Sequence, residues 1–392
     1  MSKIRVSELS RRIDAELAAL ASREQLRRLG AIDGVNLCSN DYLGLASDPR
    51  LREALASALA DGVPVGSTGS RLLSGNAAIW EELESQIAQF MGSQAALYFN
   101  SGYSANVGLL SALIRPGDVV FSDAGNHASI IDGLRLSGAR KVIFPHLDMD
   151  LLERELRKNF SGAAQKFIVS ESIFSMDGDR APLADLVALA ERYAAELIID
   201  EAHAIGVAGP QGRALVAASG LADQILITVH PCGKALAGVG CFVCCSEKLK
   251  QYLVNRARTF IFSTALPPYV AVQMRAAIRI VAAADRERND LAALAAFLRK
   301  KLREAGFDIG RGDTQIVPIF LGDNERAVRF AALLDEAGFG ARPIRPPSVP
   351  AGTSRLRISL NAKLSTDLLV RFTDALISIR EQEQVPVHAV RP

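Results

Sequence analysis

Short apolar segments alternate with segments of helical pattern along most of this 392-residue chain, and this alternation restricts the fold more than any other feature. Seven apolar segments have the length of strands, at residues 95–99, 119–122, 141–144, 166–171, 196–200, 224–228 and 241–245. Buried strands joined by helices build a mostly parallel sheet that is covered on both faces. The sequence therefore predicts an α/β domain with a seven-stranded sheet, whose ligands bind at the carboxyl ends of the strands.

The two ends of the chain predict additional structure around this domain. Leu9, Ile13 and Leu17 recur near helical spacing and predict an amphipathic helix over residues 7–29, and a second helix is predicted near 48–60. After the last strand come a helical stretch at 268–305, strands at 316–321 and 355–360, and helices near 325–337 and 366–383. We expect an N-terminal helix and arm (1–47), a large domain (48–285) and a smaller C-terminal α+β domain (286–392).

Composition excludes several classes of protein. Hydrophobic residues make up 49% and charged residues 22%, which predicts a sizeable core. A net charge of +2 gives no electrostatic reason to expect nucleic acid or an acidic membrane as a partner. The N-terminus lacks the apolar core of a signal peptide, and the charge-free stretch 85–114 is too polar for a membrane span. We expect a soluble cytoplasmic protein.

The cysteines predict neither a disulfide framework nor a metal site. Their number is odd, and three of them, Cys241, Cys244 and Cys245, share one apolar segment. Cys241 and Cys244 have the spacing of half a zinc site, but no second pair of Cys or His at ligand spacing completes it. Buried small hydrophobic residues are the better interpretation.

Lys234 is the only formally charged residue between Gln224 and Ser246. An ammonium group in apolar surroundings is costly, and lysines of this kind serve as Schiff-base nucleophiles and proton carriers. Upstream, the apolar segment that ends at Asp200 is followed by His203. A carboxylate at that point could keep a pyridinium nitrogen protonated. Taken alone, Asp200 and His203 could equally be a helix N-cap and a satisfied structural histidine.

Two turns that follow strands could contact the same ligand. Ser101, Gly102 and Tyr103 open a helix whose N-terminus could bind a phosphate, although many strand–helix turns look alike. His127 follows the strand at 119–122 and could stack on a planar cofactor or simply begin a helix. Arg357 lies in a strand-like segment, where its guanidinium suits a substrate carboxylate or a solvated edge strand.

Two other classes of enzyme fit less well. Asp200-Glu-Ala-His203 also occurs in nucleic-acid helicases, but the phosphate loop they need would require a glycine where Thr228 stands. A nicotinamide-dependent oxidoreductase would require Gly-x-Gly-x-x-Gly after a strand, and none stands in the needed place.

Taken together, these residues resemble the α-oxoamine synthases, fold-type I enzymes that use pyridoxal 5′-phosphate (PLP). The resemblance covers most of the chain from about Leu26. It rests on seven motifs in the family's order: Asn40-Asp-Tyr-Leu-Gly44, Gly66-Ser-Thr-Gly69-Ser, Ser101-Gly-Tyr103, His127-Ala-Ser, Glu171-Ser-Ile-Phe-Ser175-Met-Asp-Gly-Asp179, Asp200-Glu-Ala-His203 and Gly233-Lys234.

The resemblance implies a role for each matching residue. Lys234 matches the lysine that binds the cofactor aldehyde, Asp200 the partner of the pyridine nitrogen, His203 the donor to the ring hydroxyl and His127 the residue that stacks on the ring. Further cofactor contacts are implied for a set of matching positions, namely Ser101, Gly102, Tyr103, Glu171 and Ser175.

The resemblance also implies substrate contacts and a homodimer. Asn40 and Arg357 match positions on the amino-acid side, with Arg357 holding the carboxylate, and Arg27 and Ser348 match acyl-substrate contacts. Thr264 resembles a threonine that reaches the phosphate bound by the neighbouring subunit, so the active sites are expected at a subunit interface.

One position departs from the family pattern. The family usually has Thr or Ser three residues before the lysine, where it bonds the phosphate or the cofactor ring region, and here that place is Pro231. Proline has no side-chain donor. We expect Thr228 or His230 to substitute through a reshaped loop.

The segment Ile344-Arg-Pro-Pro-Ser348-Val-Pro350-Ala-Gly-Thr indicates which reaction of the family to expect. It is similar to that of enzymes that condense L-alanine with a pimeloyl thioester of coenzyme A or acyl carrier protein, in a decarboxylative Claisen reaction. The products are 8-amino-7-oxononanoate, carbon dioxide and thiol, in biotin biosynthesis. The alternatives are a relative that uses glycine or serine with another thioester, and a scaffold that has lost catalysis.

Overall fold

The computed structural model describes residues 7–159 and 165–384. They form two compact units. The sheet unit comprises Asn40–Ala293 and Asn361–Lys363, and the terminal unit comprises the described residues up to Ser39, Leu294–Leu360 and those from Leu364 onward.

Twelve strands are formed by the described residues: β1 (Val35–Asn36), β2 (Ala95–Phe99), β3 (Val119–Asp123), β4 (Arg140–Phe144), β5 (Lys166–Glu171), β6 (Ala195–Asp200), β7 (Ile227–Pro231), β8 (Cys241–Cys245), β9 (Ile316–Gly322), β10 (Phe339–Gly340), β11 (Pro343–Ile344) and β12 (Ser354–Ser359).

The helices of the described residues are α1 (Glu8–Ser22), α2 (Pro49–Ala60), α3 (Ala78–Met91), α4 (Gly102–Leu113), α5 (Ala128–Ser137), α6 (Met149–Lys158), α7 (Leu183–Arg192), α8 (Ala214–Ser219), α9 (Glu247–Arg256), α10 (Arg258–Ile261), α11 (Pro268–Ala282), α12 (Asp285–Glu304), α13 (Asn324–Glu336) and α14 (Thr366–Gln384). None of these helices is both long and apolar enough to span a bilayer.

The sheet unit contains the predicted seven-stranded sheet. Its strand order is β2-β8-β7-β6-β5-β3-β4, and every neighbouring pair is parallel except the two pairs made by β8. One face packs Val169, Ile198 and Val229 into a buried cluster, and the other packs Ile168, Leu197 and Ile199 into a second. Both faces are therefore covered, which explains the near-continuous apolar sequence of the strands and confirms the predicted fold class.

Two predicted boundaries were wrong. The strand predicted at 224–228 lies at Ile227–Pro231, because pairing with β6 begins at Ile227 and residues 222–224 form a 3-10 turn. Helix α1 ends at Ser22, since Glu24 has a left-handed backbone (φ 53°) that stops the helix. The bounds of the helical stretch predicted at 268–305 are confirmed to within one residue, and the stretch is divided into two helices, α11 and α12, near Ala283.

The terminal unit is built on a small antiparallel sheet. Strand β12 lies between β11 and β9, and a separate parallel pair is formed by β1 and β10. Strand β12 is buried along its whole length, and Arg355 and Arg357 lie on it two residues apart. The guanidinium of Arg355 covers the ring of Phe320 at 4.3 Å, so this arginine is used in packing.

The cysteines are free thiols, as expected. Cys241 and Cys244 stand three residues apart on β8 and therefore face opposite sides of the sheet, which prevents them from sharing one ion. Burial raises the pKa of Cys244 to about 12, as it does for Cys245. These thiols behave as small hydrophobic side chains.

Candidate active site

A cavity of about 300 Å³ opens in the sheet unit where the strands end. It is reached by Glu171 and Asp200 at the ends of β5 and β6, and by the loop that follows β7. Nine of the residues predicted from the sequence line it: Asn40, Ser101, Gly102, Tyr103, His127, Glu171, Asp200, His203 and Lys234. The carboxyl ends of the strands thus gather the chemistry-bearing side chains, as expected for this class of sheet.

Lys234 lies on a short loop that joins two neighbouring antiparallel strands, β7 and β8. The loop is closed at its base by hydrogen bonds from Cys232 N to Gly240 O and from Gly238 N to Cys232 O, each 2.9 Å long. Lys234 O also accepts from Ala237 N at 2.8 Å. The backbone that bears the lysine is therefore fixed, and the half-buried side chain lines the cavity.

Asp200 is a buried carboxylate with its hydrogen-bond donors in place. Its Oδ2 accepts from Asn106 Nδ2 at 2.7 Å, and its Oδ1 accepts from Ala202 N at 2.9 Å. Neighbouring Glu171 is also buried, and its pKa lies well above the ordinary value because of burial and the nearby negative charge of Asp200. Asp200 thus has a hydrogen-bond donor at each of its oxygens, whereas burial disfavours the charged form of Glu171.

His127 is the N-cap of helix α5, and it also lines the cavity. Its backbone N–H donates to Glu171 Oε1 at 2.7 Å, which ties the end of β5 to the start of α5. The residue is exposed by surface area, yet the atoms around the ring exclude enough solvent to lower its pKa. The charge of Lys234 acts in the same direction and that of Asp200 opposes it.

His203 is held by a tyrosine that the sequence did not single out. The hydroxyl of Tyr42 lies 2.6 Å from His203 Nδ1 and 3.0 Å from Asn40 Oδ1. Tyr42 is completely buried, and its carbonyl accepts from Ala362 N at 2.9 Å. One phenol thus connects two predicted site residues that the resemblance assigns to different ligands.

The N-terminus of α4 opens into the cavity at the turn Ser101–Tyr103. Ser101 caps the helix, with its Oγ accepting from Ser104 N at 3.0 Å. Gly102 lies directly against Pro231, which also lines the cavity. Free N–H groups at a helix N-terminus, together with the helix dipole, suit an anion such as a phosphate.

Four predicted cofactor contacts of the sheet unit lie outside the described lining of this cavity. Ser175 is buried in the loop after β5. Thr228 and His230 bond each other, with Thr228 Oγ1 2.8 Å from His230 Nε2, and burial lowers the pKa of His230 to about 3. Thr264 is exposed, and its carbonyl accepts from Asn100 Nδ2 at 2.6 Å.

The remaining predicted residues belong to the terminal unit. Arg27 Nη2 donates to Ser348 Oγ at 3.3 Å, so the two predicted acyl contacts are neighbours. Arg357 is buried, and its Nη1 donates to Ser359 Oγ at 2.7 Å.

A second cluster of charged residues is centred on His146, which no sequence motif marked. Nδ1 of His146 lies 2.7 Å from Asp123 Oδ1, and its Nε2 lies 3.0 Å from Asp179 Oδ2. The ring also packs against the backbone of Gly125, where a Cβ atom would meet Nδ1 at 2.7 Å. Burial alone would lower the pKa of His146, but the two hydrogen bonds raise it to about 10. The imidazolium thus ties the segment that leads to His127 to the loop that contains Asp179.

This arrangement suits covalent binding of a carbonyl compound and proton transfer at the adjacent carbon. It provides a fixed lysine, a buried and hydrogen-bonded carboxyl group, two histidines and a helix N-terminus around one cavity. Such a set can bind an aldehyde, protonate a heteroaromatic nitrogen and hold a phosphate.

Comparisons with known proteins agree with this chemistry. The aminotransferase class I and II family matches residues 32–376. An 8-amino-7-oxononanoate synthase of Geobacter sulfurreducens is 44% identical over 389 residues, which cover 95% of this chain and 99% of that protein.

Solved structures show the same fold. A serine palmitoyltransferase variant from S. paucimobilis, with bound PLP and myriocin, has a TM-score of 0.87 and 31% identity, covering 96% of this chain and all of that one. An 8-amino-7-oxononanoate synthase of Francisella tularensis has a TM-score of 0.78 and 27% identity, covering 90% and 99% of the two chains. The chain therefore belongs to the aminotransferase class I and II family and, within it, to the PLP-dependent α-oxoamine synthases.

Proposed function

We propose that this chain condenses L-alanine with a pimeloyl thioester and releases 8-amino-7-oxononanoate, carbon dioxide and free thiol, a reaction of biotin biosynthesis. The observation that carries the proposal is the cavity that gathers Lys234, Asp200, His127 and His203 at the strand ends. The choice of substrates is supported by the identity of 44% to an 8-amino-7-oxononanoate synthase over 95% of this chain and 99% of that protein.

The residues of the cavity fit PLP, the cofactor of this family. Lys234 would hold the aldehyde, Asp200 the ring nitrogen, His203 the ring hydroxyl and the N-terminus of α4 the phosphate. The burial of Asp200 and the hydrogen bond that orients it suit the ring nitrogen. The missing side chain of Gly102 suits a close approach of the backbone to the phosphate. When bound, PLP withdraws electrons from the Cα atom of the amino acid.

The chain's own residues then supply the proton transfers. Lys234 removes the Cα proton of L-alanine and later returns one, which its fixed backbone and flexible side chain allow. Asp200 keeps the ring nitrogen protonated, because its negative charge favours the cation. His127 and Asn40 orient the reactants from the sides of the cavity. The carbon nucleophile displaces the thiol of the thioester, and the alanine carboxylate leaves as carbon dioxide.

Contacts from the terminal unit and from a second subunit belong to the same proposal. Arg357 would hold the alanine carboxylate, and Arg27 and Ser348 would contact the acyl chain, a role supported by their mutual hydrogen bond. Thr264 would reach the phosphate bound by the neighbouring subunit of a homodimer, a role supported by its exposure. Ser175, Thr228 and His230 remain proposed cofactor contacts, and a cytoplasmic location stays a prediction.

Turnover with pimeloyl thioester and L-alanine, followed by mass detection of the amino ketone, tests the proposal. Glycine and L-serine are compared at the same thioester concentration, and coenzyme A and acyl carrier protein are compared as carriers. We expect a clear preference for L-alanine, and equal or better turnover with glycine or serine would instead support the alternative α-oxoamine synthase. Lys234→Ala should lose both turnover and the visible absorption band of the bound cofactor. A non-catalytic scaffold would have neither turnover nor such a band in the unmutated protein.

A further inference from the structure

Asn106 and Ser129 are buried polar residues that line the cavity and have no role in the assignments above. Asn106 lies in helix α4 with 2% of its surface exposed, and Ser129 lies in the first turn of α5 with 1% exposed. Buried polar side chains of this kind need hydrogen-bond partners, and those partners determine what the side chains do.

The donor and the acceptor in each hydrogen bond of Asn106 and Ser129 can be identified from the atoms that carry hydrogen. Asn106 Nδ2 lies 2.7 Å from Asp200 Oδ2 and 3.0 Å from Ser129 Oγ. A carboxylate only accepts, so the amide nitrogen faces Asp200 and uses one hydrogen there. Its other hydrogen goes to Ser129 Oγ. The hydroxyl hydrogen of Ser129 is then available for a different acceptor.

That acceptor is His127 Nδ1, which lies 2.8 Å from Ser129 Oγ. The backbone N–H of Ser129 points to the same ring nitrogen at 3.2 Å, and a backbone N–H is always a donor. His127 Nδ1 therefore receives two hydrogen bonds and carries no proton. The proton of the neutral ring is on Nε2.

We infer that Asn106 and Ser129 are positioning residues that orient the carboxyl group of Asp200 and hold His127 as a neutral imidazole protonated on Nε2. The inference rests on the proposed function, because that function assigns Asp200 to the ring nitrogen of the cofactor and His127 to its face. It adds one hydrogen-bonded network in which Asn106 donates to Asp200 and to Ser129, and Ser129 donates to His127.

The surroundings of His127 agree with a neutral ring. The charged or titratable groups facing it are Glu171 of β5, Asp200 of β6 and Lys234 of the loop after β7. Exclusion of solvent and the charge of Lys234 lower the pKa of His127, while Asp200 acts in the opposite direction. Protonation at Nδ1 would also remove two accepted hydrogen bonds. His127 thus presents one permanent N–H donor instead of exchanging a proton during turnover.

The test is nitrogen NMR of histidine-labelled protein, with and without PLP, together with a fluorescence titration of PLP binding. The His127 signals are assigned with His127→Gln. We expect the Nδ1 of the wild-type ring to stay unprotonated between about pH 6 and pH 9. In Ser129→Ala only the longer backbone hydrogen bond to Nδ1 remains, so we expect a measurable fraction of the Nδ1-protonated tautomer. The PLP Kd should rise about fivefold to tenfold, as for the loss of one hydrogen bond.

Ser111→Ala is the matched control, because the Ser111 hydroxyl bonds Val107 O within α4 at 2.6 Å and lies outside the cavity lining. It should leave the ring signals and the Kd unchanged, and Ser129→Thr should restore both. Asn106→Ala should raise the PLP Kd by a similar factor. A wild-type His127 with a protonated Nδ1, or a Ser129→Ala variant that behaves like Ser111→Ala, would overturn the inference. Both readouts are independent of turnover, so they separate this inference from the choice of substrates.

Discussion

A Cβ atom built on Gly102 would lie 2.7 Å from Cγ of Pro231, closer than real side chains approach each other. Gly102 begins helix α4, and Pro231 ends strand β7 three residues before Lys234. The residue that departs from the family pattern is therefore packed against the helix N-terminus proposed to hold the phosphate.

Gly102→Ala should weaken PLP binding, because the added methyl group forces the turn away from Pro231. Overpacking of this kind costs about 1–3 kcal/mol, which corresponds to a rise in Kd of about fivefold to 150-fold. Fluorescence titration with PLP measures it. Gly30→Ala serves as a control, because a Cβ atom there meets nothing within 4 Å. The double variant Gly102→Ala/Pro231→Gly should recover most of the affinity, and a double variant as weak as the single one would contradict the proposed clash.

Pro231→Ser should tighten PLP binding by several fold. It places a hydroxyl donor at a position that lines the cavity beside the N-terminus of α4, where proline offers none. The dissociation constant of PLP, measured by the same titration, checks this prediction. An unchanged constant would indicate that another group already supplies the missing contact.

Tyr42→Phe should lower kcat/KM about tenfold while the protein still folds. The variant removes only the hydroxyl that holds both His203 and Asn40, and it keeps the buried ring. Steady-state kinetics and a thermal melt measure the two effects separately. Tyr193→Phe is the matched control, since its hydroxyl donates to Glu153 Oε1 at 2.9 Å away from the cavity. Similar kinetic losses in both variants would exclude a specific role for Tyr42.

His146 should stabilise the fold at neutral pH and lose that contribution as the pH rises. Its pKa in the fold is about 10, above the 6.5 of a free imidazole, so the folded state binds more protons between these values. The contribution is complete below about pH 6.5 and is lost as the pH rises through about 10. Urea unfolding of wild type and His146→Gln at pH 6, 8 and 10 measures it. A difference that grows with pH would contradict this assignment.

Cys38 should be the only cysteine that reacts rapidly with a thiol reagent in the folded protein. It is half-buried, whereas Cys232, Cys241, Cys244 and Cys245 are buried. Denatured protein should titrate five thiols, and Cys38→Ser should remove the rapid phase. A second rapid thiol in the folded protein would show that the sheet opens more easily than its packing indicates.

The sequence predicted the sheet well because its central strands are nearly continuous apolar segments that need burial on both faces, while the more polar β4 lies at the edge of the sheet. Strand β7 was the exception, since its bounds depend on where it pairs with β6 and not on its own residues. Helix α1 ended early for a local reason, the backbone conformation of Glu24, which no hydrophobic pattern encodes.

The site was predictable where motifs mark it and unpredictable where distant residues meet. Lys234, Asp200 and His203 follow from an isolated lysine and an acid at the end of a strand. Tyr42 lies 161 residues from His203 along the chain, so only the fold places its hydroxyl there. The hydrogen bond from Asn106 to Asp200 likewise joins residues 94 positions apart, so no local motif predicts it.

The closed loop between β7 and β8 has a consequence for the catalytic cycle. Both of its ends continue directly into adjacent strands of the central sheet, and Gln273 Nε2 of α11 anchors the carbonyl of Ala237 at 2.9 Å. Because the loop backbone is fixed, the amine of Lys234 moves by rotation about the bonds of its own side chain. Lys234 can therefore release its covalent partner and bind it again by changing its side-chain rotamer. The enzyme returns to its starting state with the main chain of the loop unchanged.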